Sequence, residues 1–431
     1  MSLGFNQTID SWYLASAGAA PERPALEGSM ECDVAVVGAG LAGCSTALHL
    51  AQRGYRVVVL EGANVGYGAS GRSGAQMLPG FASGQSKLEP ALGASGARAA
   101  FDVTVEGMAL ARQLIHEHNI ACDYRSGQAH VAIKPRQVTE LQGWQDELQA
   151  LGYPHTRLMD GDEVRDLLAT QRYIGGLFDA NAAHLHPLKY VRGLAVAAER
   201  AGAQIFEHTP VLRLEAAPTA NGLSRLHTAR GVVSARYVAL CGNAYLQGTA
   251  PAIQPRIMPV GTYIIATEPL GEAAATALIR NDMAVTDINF VLDYYRRSPD
   301  HRLLFGGRVS YSGYDPLGTA RATRARMLSV YPQLANARID HAWGGYVDIT
   351  MTRAPDFNRL APNVYYAQGF SGHGMVLAPM AGKLMAEAIA GQAERFDLFG
   401  KLKHRPFPGG ALLRRPALVL AMLWFRLRDW L

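Results

Sequence analysis

Apolar residues along this chain change period in a way that separates strands from helices. Residues 33–38, DVAVVG, are a β-branched run entering a glycine, the pattern of a buried strand that ends in a tight turn. GCSTALHLAQRG (43–54) spaces its apolar residues as on one helix face and closes on Gly54, a residue suited to a helix C-terminus. YRVVVLE (55–61) is again a continuous apolar run. Strand, helix and strand in that order predict a βαβ unit with parallel strands. Helical spacing returns over 97–121, over 136–170 with a break at LGYPH, and over 189–202. AQIFEHTPVLRLEA follows as strand, and GVVSARYVALCGNAY (231–245) as a strand ending in a glycine turn. TYIIATEP, FVLDYYRR and HRLLFGGRV give three more strand signals. Helices resume from about 320; VYYAQGF is a strand, and a helix covers 376–391.

With 431 residues, 49% of them apolar, the chain can bury a large core in about two domains. Because αβ, β-rich and α/β stretches alternate, interleaved domains are expected rather than consecutive ones. Cys32, Cys44, Cys122 and Cys241 lack CxxC or CxxH spacing, which argues against a zinc site or a disulfide framework. That usage fits a reducing, cytoplasmic setting, and no metal is expected. The N-terminus has no basic residue before Arg23 and no long apolar run, so it does not read as a secretory signal. Net charge is +5, and residues 401–431 alone carry seven Lys and Arg against Asp429. The rest of the chain is near neutral, so no broad basic face for nucleic acid is expected.

GAGLAG (38–43) fits G-x-G-x-x-G between a predicted strand and a predicted helix, with Glu61 closing the next strand. In such a loop Gly38 makes the tight turn and Gly40 lets the backbone, with Ala39, Leu41 and Ala42, approach a pyrophosphate. Gly43 allows helix–strand contact, and Glu61 takes ribose hydroxyls. Chemistry and context together point to a dinucleotide. No second such motif lies between a predicted strand and a predicted helix, which argues against a separate nicotinamide site. VGYGASGRSGAQM (65–77) adds a loop rich in free backbone N–H groups that can pass a second phosphate and reach a flat ring.

GAGLAG with LEGANVGYGASGRSGAQ resembles the flavin-binding signature of the D-amino-acid-oxidase-like (DAO) FAD-dependent amine oxidoreductases. LDYYR, LLFGGR and QGFSGHG are most similar to the bacterial γ-glutamylputrescine oxidoreductases, and the likeness extends over nearly the whole chain. The resemblance implies an α/β fold: a Rossmann-like FAD-binding domain interleaved with an α+β substrate domain on a large antiparallel-rich sheet. The expected division gives 30–105, 200–255 and 340–400 to the FAD domain and 106–199 and 256–339 to the substrate domain. Residues 401–431 form a basic amphipathic tail. The cofactor contacts so implied are Gly62, Gly68, Ala69, Ser70, Arg72, Ser73, Gly74, Gln76, Val211, Cys241, Gly242, Asn243, Gly345 and Gly369. They come in addition to the residues of the first loop and Glu61. The late turn, Gly372, His373, Gly374 and Met375, is implied to face the pyrimidine end of the flavin ring. There a bare helix N-terminus can stabilise negative charge, and the His373 side chain is either a donor to the ring or packed under the turn. Relatives that tether flavin use an early histidine or a late cysteine, and neither is found at those places here, so dissociable FAD is expected.

The same resemblance implies oxidation of a primary amine, γ-glutamylputrescine or a related polyamine conjugate, by hydride transfer from its α-carbon to flavin N5. Aldehyde, ammonia and H2O2 are the implied products. Tyr263, Tyr294, Tyr295, Arg297 and Arg308 fall on segments that cover the flavin in relatives, and strand alternation allows only one of Tyr294 and Tyr295 to reach substrate. Arg297 or Arg308 can clamp a carboxylate, and a structural role for each of the five stays open. The lysines that sarcosine oxidases use near the ring are absent from HRLLFGGR and from Met375–Val376, so oxygen as acceptor follows from the subfamily alone. The tail LLRRPALVLAMLWFRLRDWL can lie on an anionic membrane surface or pack on the FAD domain. Two other readings stand beside the oxidase: a dehydrogenase passing electrons to a membrane quinone, and a flavin-binding redox sensor without turnover.

Overall fold

The computed structural model describes residues 9–310 and 316–408. Two sheets carry the fold. In the first, the fully apolar strand Val57–Leu60 and the buried half of Gly28–Val37 pair in parallel, and Gly231–Leu240 lies parallel on the other side. The order runs Asp356–Ala361, Val364–Gln368, Gly231–Leu240, Gly28–Val37, Val57–Leu60, Gln204–Phe206, with a small flap of Arg213–Glu215 and Ser224–His227 on Gly231–Leu240. Strands this apolar on both faces need cover on both. Helices Leu41–Ala51, Pro187–Arg200 and Gly374–Ile389 supply it on one side, and Leu41–Ala51 is buried throughout because it is wedged between the other two.

The second sheet has nine strands, largely antiparallel. Its path is Ile339–Thr350, Ile257–Thr267, Leu303–Ser310, Tyr294–Arg297, Ala284–Asp287, Arg125–Ala132, Gly175–His184 and Gln76–Met77; Thr156–Asp160 pairs with Gly175–His184. Helix Pro316–Val330 packs on Leu303–Ser310, and helix Pro135–Ala150 on Gly175–His184. Helix Glu89–Glu117, kinked where Gly93 takes φ 70°, packs on Gly374–Ile389.

Three stretches sit differently from the expected division. Residues 340–350, expected in the FAD domain, form with Ile339 an edge strand of the second sheet, paired with Ile257–Thr267. Gln76–Met77 also joins that sheet, against Ala183 and His184. Helix Pro187–Arg200, expected with the substrate domain, packs on Leu41–Ala51 because its face of Tyr190, Val191, Leu194 and Ala198 is apolar and buried. Within the interval expected as a broken helix, 156–160 is a strand. The apolar tail at 412–431 lies outside the described residues. No helix among the described residues is long and apolar enough to cross a membrane.

Candidate active site

A cavity of about 1430 Å³ is walled by both sheets. Its first wall begins at Gly38, Gly40, Leu41 and Ala42 and continues through Glu61, Gly62, Gly68, Ala69, Ser70, Ser73, Gly74 and Gln76. Val211, Cys241, Gly242 and Asn243 extend it, and Gly372, His373, Gly374 and Met375 close it from the far end of the chain. The two glycine regions are tied together: the Ser73 hydroxyl lies 3.3 Å from Met375 Sδ, and the Ser45 hydroxyl donates to the Pro379 carbonyl at 2.6 Å.

Each part of this wall has a steric cause. Gly38 takes φ 99°, and a Cβ there would meet the Cys241 carbonyl oxygen at 3.0 Å. Glu61 is 8% exposed, yet its carboxylate accepts the Ala39 N–H at 2.7 Å and the Ala63 N–H at 2.9 Å. Burial raises its pKa against those bonds, so the group holds the turn in shape while facing the cavity. Both helices that end on the wall, Leu41–Ala51 and Gly374–Ile389, lack a side-chain cap on their own N-cap residue and lack acids in the first turn. The Leu41 N–H donates to the Ser70 hydroxyl at 3.0 Å, and the positive dipole ends of both helices favour an anion. His373 is the N-cap of the later helix; its Nδ1 is buried with no partner among the described residues, as is Asn243 Oδ1. Burial, with the Arg353 guanidinium, pushes the His373 imidazole down to about 4. Burial also pushes His130, which lines the same cavity, down to about 4, with His373 acting on it. Both rings are neutral at pH 7.

Five residues expected to touch the cofactor stand behind the wall. Ala39 points its N–H at Glu61, and Gly43 sits under the Gly38 carbonyl, where a Cβ would come within 1.9 Å of the oxygen. Arg72 is buried over the Tyr67 ring, 4.3 Å from its centroid, and donates to the Tyr67 carbonyl at 2.5 Å. Gly345 packs on Arg72, and Gly369, at φ 77°, on Thr350.

Among the expected substrate residues whose side chains are described, Tyr294 alone lines the cavity; its ring fills the space left by Gly74 and Gly306, where a Cβ would come within 2.6 Å and 2.3 Å of it. Tyr295 points the other way, 1% exposed, stacked on Phe305 at 5.4 Å and edge-on to Tyr331 at 5.5 Å. Arg297 pairs with Asp282 at 3.2 Å and Thr276 at 2.6 Å, away from the cavity. Tyr263 lays its ring against Gly344, and Arg308 is its cross-strand partner, with a side chain outside those described. Replacement of Tyr295 by phenylalanine should therefore leave kcat within about 2-fold of wild type, while Tyr295→Ala should cost about 3–5 kcal/mol of stability. Turnover at saturating substrate together with thermal melts checks this; a large loss of kcat in a Tyr295→Phe enzyme of normal stability would return Tyr295 to the site.

Several residues of the site were not singled out by the sequence. Arg296, 3% exposed, donates to the Gly74 and Leu185 carbonyls and to the Tyr13 hydroxyl, so it anchors the glycine loop from below. Thr286 and Gln128 both donate to Gln76 Oε1, at 2.6 and 3.2 Å, which fixes the orientation of that amide in the wall. Asp348 is 3% exposed, accepts the Gly369 N–H and holds the late turn; burial pushes it up to about 6. Asp287 accepts the Asn289 and Asp293 N–H groups, closing the base of a 288–292 loop that lines the cavity, while Arg326 holds Asp293 at 2.5 Å. The signal that could have found Arg296 is its parity with Tyr294 on one strand.

A family model described as FAD dependent oxidoreductase, DAO, matches residues 33–388. The γ-glutamylputrescine oxidoreductase of Escherichia coli K12 is 40% identical over 97% of this chain and 98% of its own length. A probable oxidoreductase OrdL of Haemophilus influenzae is 38% identical over 100% and 99%. Among solved structures, L-proline dehydrogenase from P. horikoshii superposes with TM-score 0.73 at 21% identity, over 88% of this chain and 100% of that one. Glycine oxidase from Bacillus cereus gives 0.72 at 20% identity, over 87% and 99%. At these identities the two structures speak for the shared fold alone.

Proposed function

The chain belongs to the DAO family of FAD-dependent oxidoreductases, and from that premise we propose that it oxidises the primary amine of γ-glutamylputrescine or a related γ-glutamylated polyamine. The observation that carries this reading is the 40% identity, over almost the full length of both chains, to an enzyme named for that substrate. The cavity fits the cofactor: it offers a glycine turn that a Cβ would fill, two helix N-termini free of acids, and unpartnered buried atoms on Asn243 and His373. Gly38, Gly40, Leu41 and Ala42 would hold the FAD diphosphate and Glu61 a ribose. Ser73, Gly74, Gln76 and the Gly372–Met375 turn would hold the ring system, all without a covalent bond.

When bound, FAD supplies a two-electron acceptor. The protein's own task is to bring a neutral amine to it in one orientation and to keep water out. Tyr294 and Thr262 give the cavity a wall there, and neutral His130 and His373 add hydrogen-bonding capacity without charge. Loss of two electrons and two protons from the substrate's CH–NH2 unit gives an imine, which water hydrolyses to aldehyde and ammonia. Oxygen taking up the two electrons and two protons gives H2O2.

The test is anaerobic bleaching of the purified yellow protein by free, N-acetylated and γ-glutamylated putrescine, sarcosine and D-alanine. γ-Glutamylputrescine should bleach it fastest, peroxide should appear under air, and acid precipitation should release the flavin. Faster bleaching by sarcosine or D-alanine would overturn the substrate; dye reduction without peroxide would replace the oxidase by a dehydrogenase.

A further inference from the structure

We propose that the outer part of the cavity, along helix Pro135–Ala150, is a subsite for the zwitterionic α-amino-acid head of the substrate; this rests on the γ-glutamyl reading above. The cavity does not end at the late turn. From His373 it passes His130, whose ring stands edge-on to Trp144 at 5.5 Å, and so reaches one face of the helix. Arg136, Glu140, Trp144 and Glu147 line it there at spacings of four, four and three residues, one stripe of a helix surface. The stripe from Arg136 to Glu147 runs about 16 Å, at 1.5 Å per residue, long enough for an extended acyl diamine to lie along it.

The charges on this stripe are unspent. Among the described residues no ion pair or hydrogen bond involves the side chain of Arg136, Glu140 or Glu147, although Arg136 and Glu140 stand at the i, i+4 spacing that usually pairs them. A cation and two carboxylates on one cavity wall match a carboxylate and an ammonium carried on the same carbon. A second, independent feature lies beside the helix, on the strand Thr156–Asp160 that packs against it: Thr156, 8% exposed, lines the cavity with a buried hydroxyl that has no partner among the described residues. An unpaired buried hydroxyl is costly unless a ligand completes it, and the substrate's amide is a group it could bond. In this arrangement Arg136 takes the α-carboxylate and Glu140 with Glu147 the α-ammonium. Trp144 covers the methylene chain, and the primary amine at the other end is left toward the His373 turn. Free putrescine has no head for this arm to grip.

The experiment uses the holoenzyme with three acyl putrescines: γ-glutamyl, glutaryl (no α-ammonium) and acetyl (neither charge). In wild type kcat/KM should fall in that order. Glu140→Gln/Glu147→Gln should lower the glutamyl-to-glutaryl ratio about 10-fold or more, and Arg136→Met should lower the glutaryl-to-acetyl ratio similarly, as expected for charge-assisted hydrogen bonds. Flavin absorbance and melting temperature, compared with wild type, report that each variant is folded; the substituted side chains are all exposed. If wild type prefers the glutamyl compound and the variants keep both ratios within about 2-fold, the subsite is wrong and the substrate stands. If wild type itself shows no preference among the three, the substrate reading fails and the subsite falls with it.

Discussion

Gly43→Ala is expected to yield a protein that no longer retains FAD. The added Cβ would sit 1.9 Å from the Gly38 carbonyl oxygen, 3.0 Å from its carbon and 3.3 Å from Val36 Cγ1. Two of those atoms are backbone, so no rotamer change relieves the overlap; the helix must move by roughly 1 Å away from the strand, in a core packed at crystal density. That displacement opens the turn formed by Gly38 and Gly40, pulls on the bond from the Leu41 N–H to the Ser70 hydroxyl and withdraws the helix N-terminus from the cavity. It also strains the Glu61–Ala39 bond at 2.7 Å. Affinity for FAD should drop by at least about 100-fold, near 3 kcal/mol. Gel filtration followed by the ratio of visible to ultraviolet absorbance reads the result directly. A yellow Gly43→Ala protein with wild-type flavin content would refute the role given to this contact.

The second large effect is expected at Asp348, through the late turn. Its carboxylate accepts the Gly369 N–H and has the Phe370 N–H and the Asn243 side chain as further partners. Asp348→Ala leaves these buried donors without an acceptor, at about 1–3 kcal/mol for each one orphaned, and lets the turn that carries His373 drift. Activity should fall by about 100-fold, as misplacement at a reacting centre does, and Asp348→Asn, which keeps one acceptor oxygen, should fall less. Asp348 also predicts a pH dependence. Its pKa is raised from 3.8 to about 6, chiefly by burial, so between those values the folded chain holds a proton that the unfolded chain releases. Stability from this group is complete below pH 3.8 and lost as pH rises through 6, a change of about 3 kcal/mol. The stability of Asp348→Asn relative to wild type should therefore rise by about that amount from pH 4 to pH 7, measured by denaturant unfolding of the apo-protein. Parallel pH profiles, with full activity in Asp348→Ala, would remove Asp348 from the turn's support.

Much of the site could be read without coordinates, and the reason is local. A β-branched run, three spaced glycines and a helical period are all contiguous in 33–54, so the first turn needs no distant information; the turn at 369–375 is equally local. The failures share the opposite property. Tyr263 was placed near the site by the likeness of its segment alone, but its strand carries a bulge between Tyr263 and Ile264 that shifts the register against Leu303–Ser310, which residue spacing does not show. FVLDYYRR reads as one strand, whereas only Tyr294–Arg297 is strand; the preceding loop is closed by Asp287, Asp293 and an arginine 33 positions later. Arg296 shares a face with Tyr294 and Arg297 with Tyr295, but which of the two faces meets the cavity is not written in the four residues YYRR. The edge strand 339–350 mixes buried and half-buried positions throughout, so it gives no clean alternation.

The strand order of the first sheet has a consequence for how the protein is made. Gly231–Leu240 lies between Gly28–Val37, synthesised long before it, and Val364–Gln368, which leaves the ribosome more than a hundred residues later. At about 5–20 residues per second the nascent chain carries an apolar open strand edge for on the order of 10 s. The turn that completes the cofactor's enclosure emerges later still. Flavin capture is thus among the last steps of biogenesis, and a shortage of riboflavin would be met by full-length chains whose first sheet is already closed.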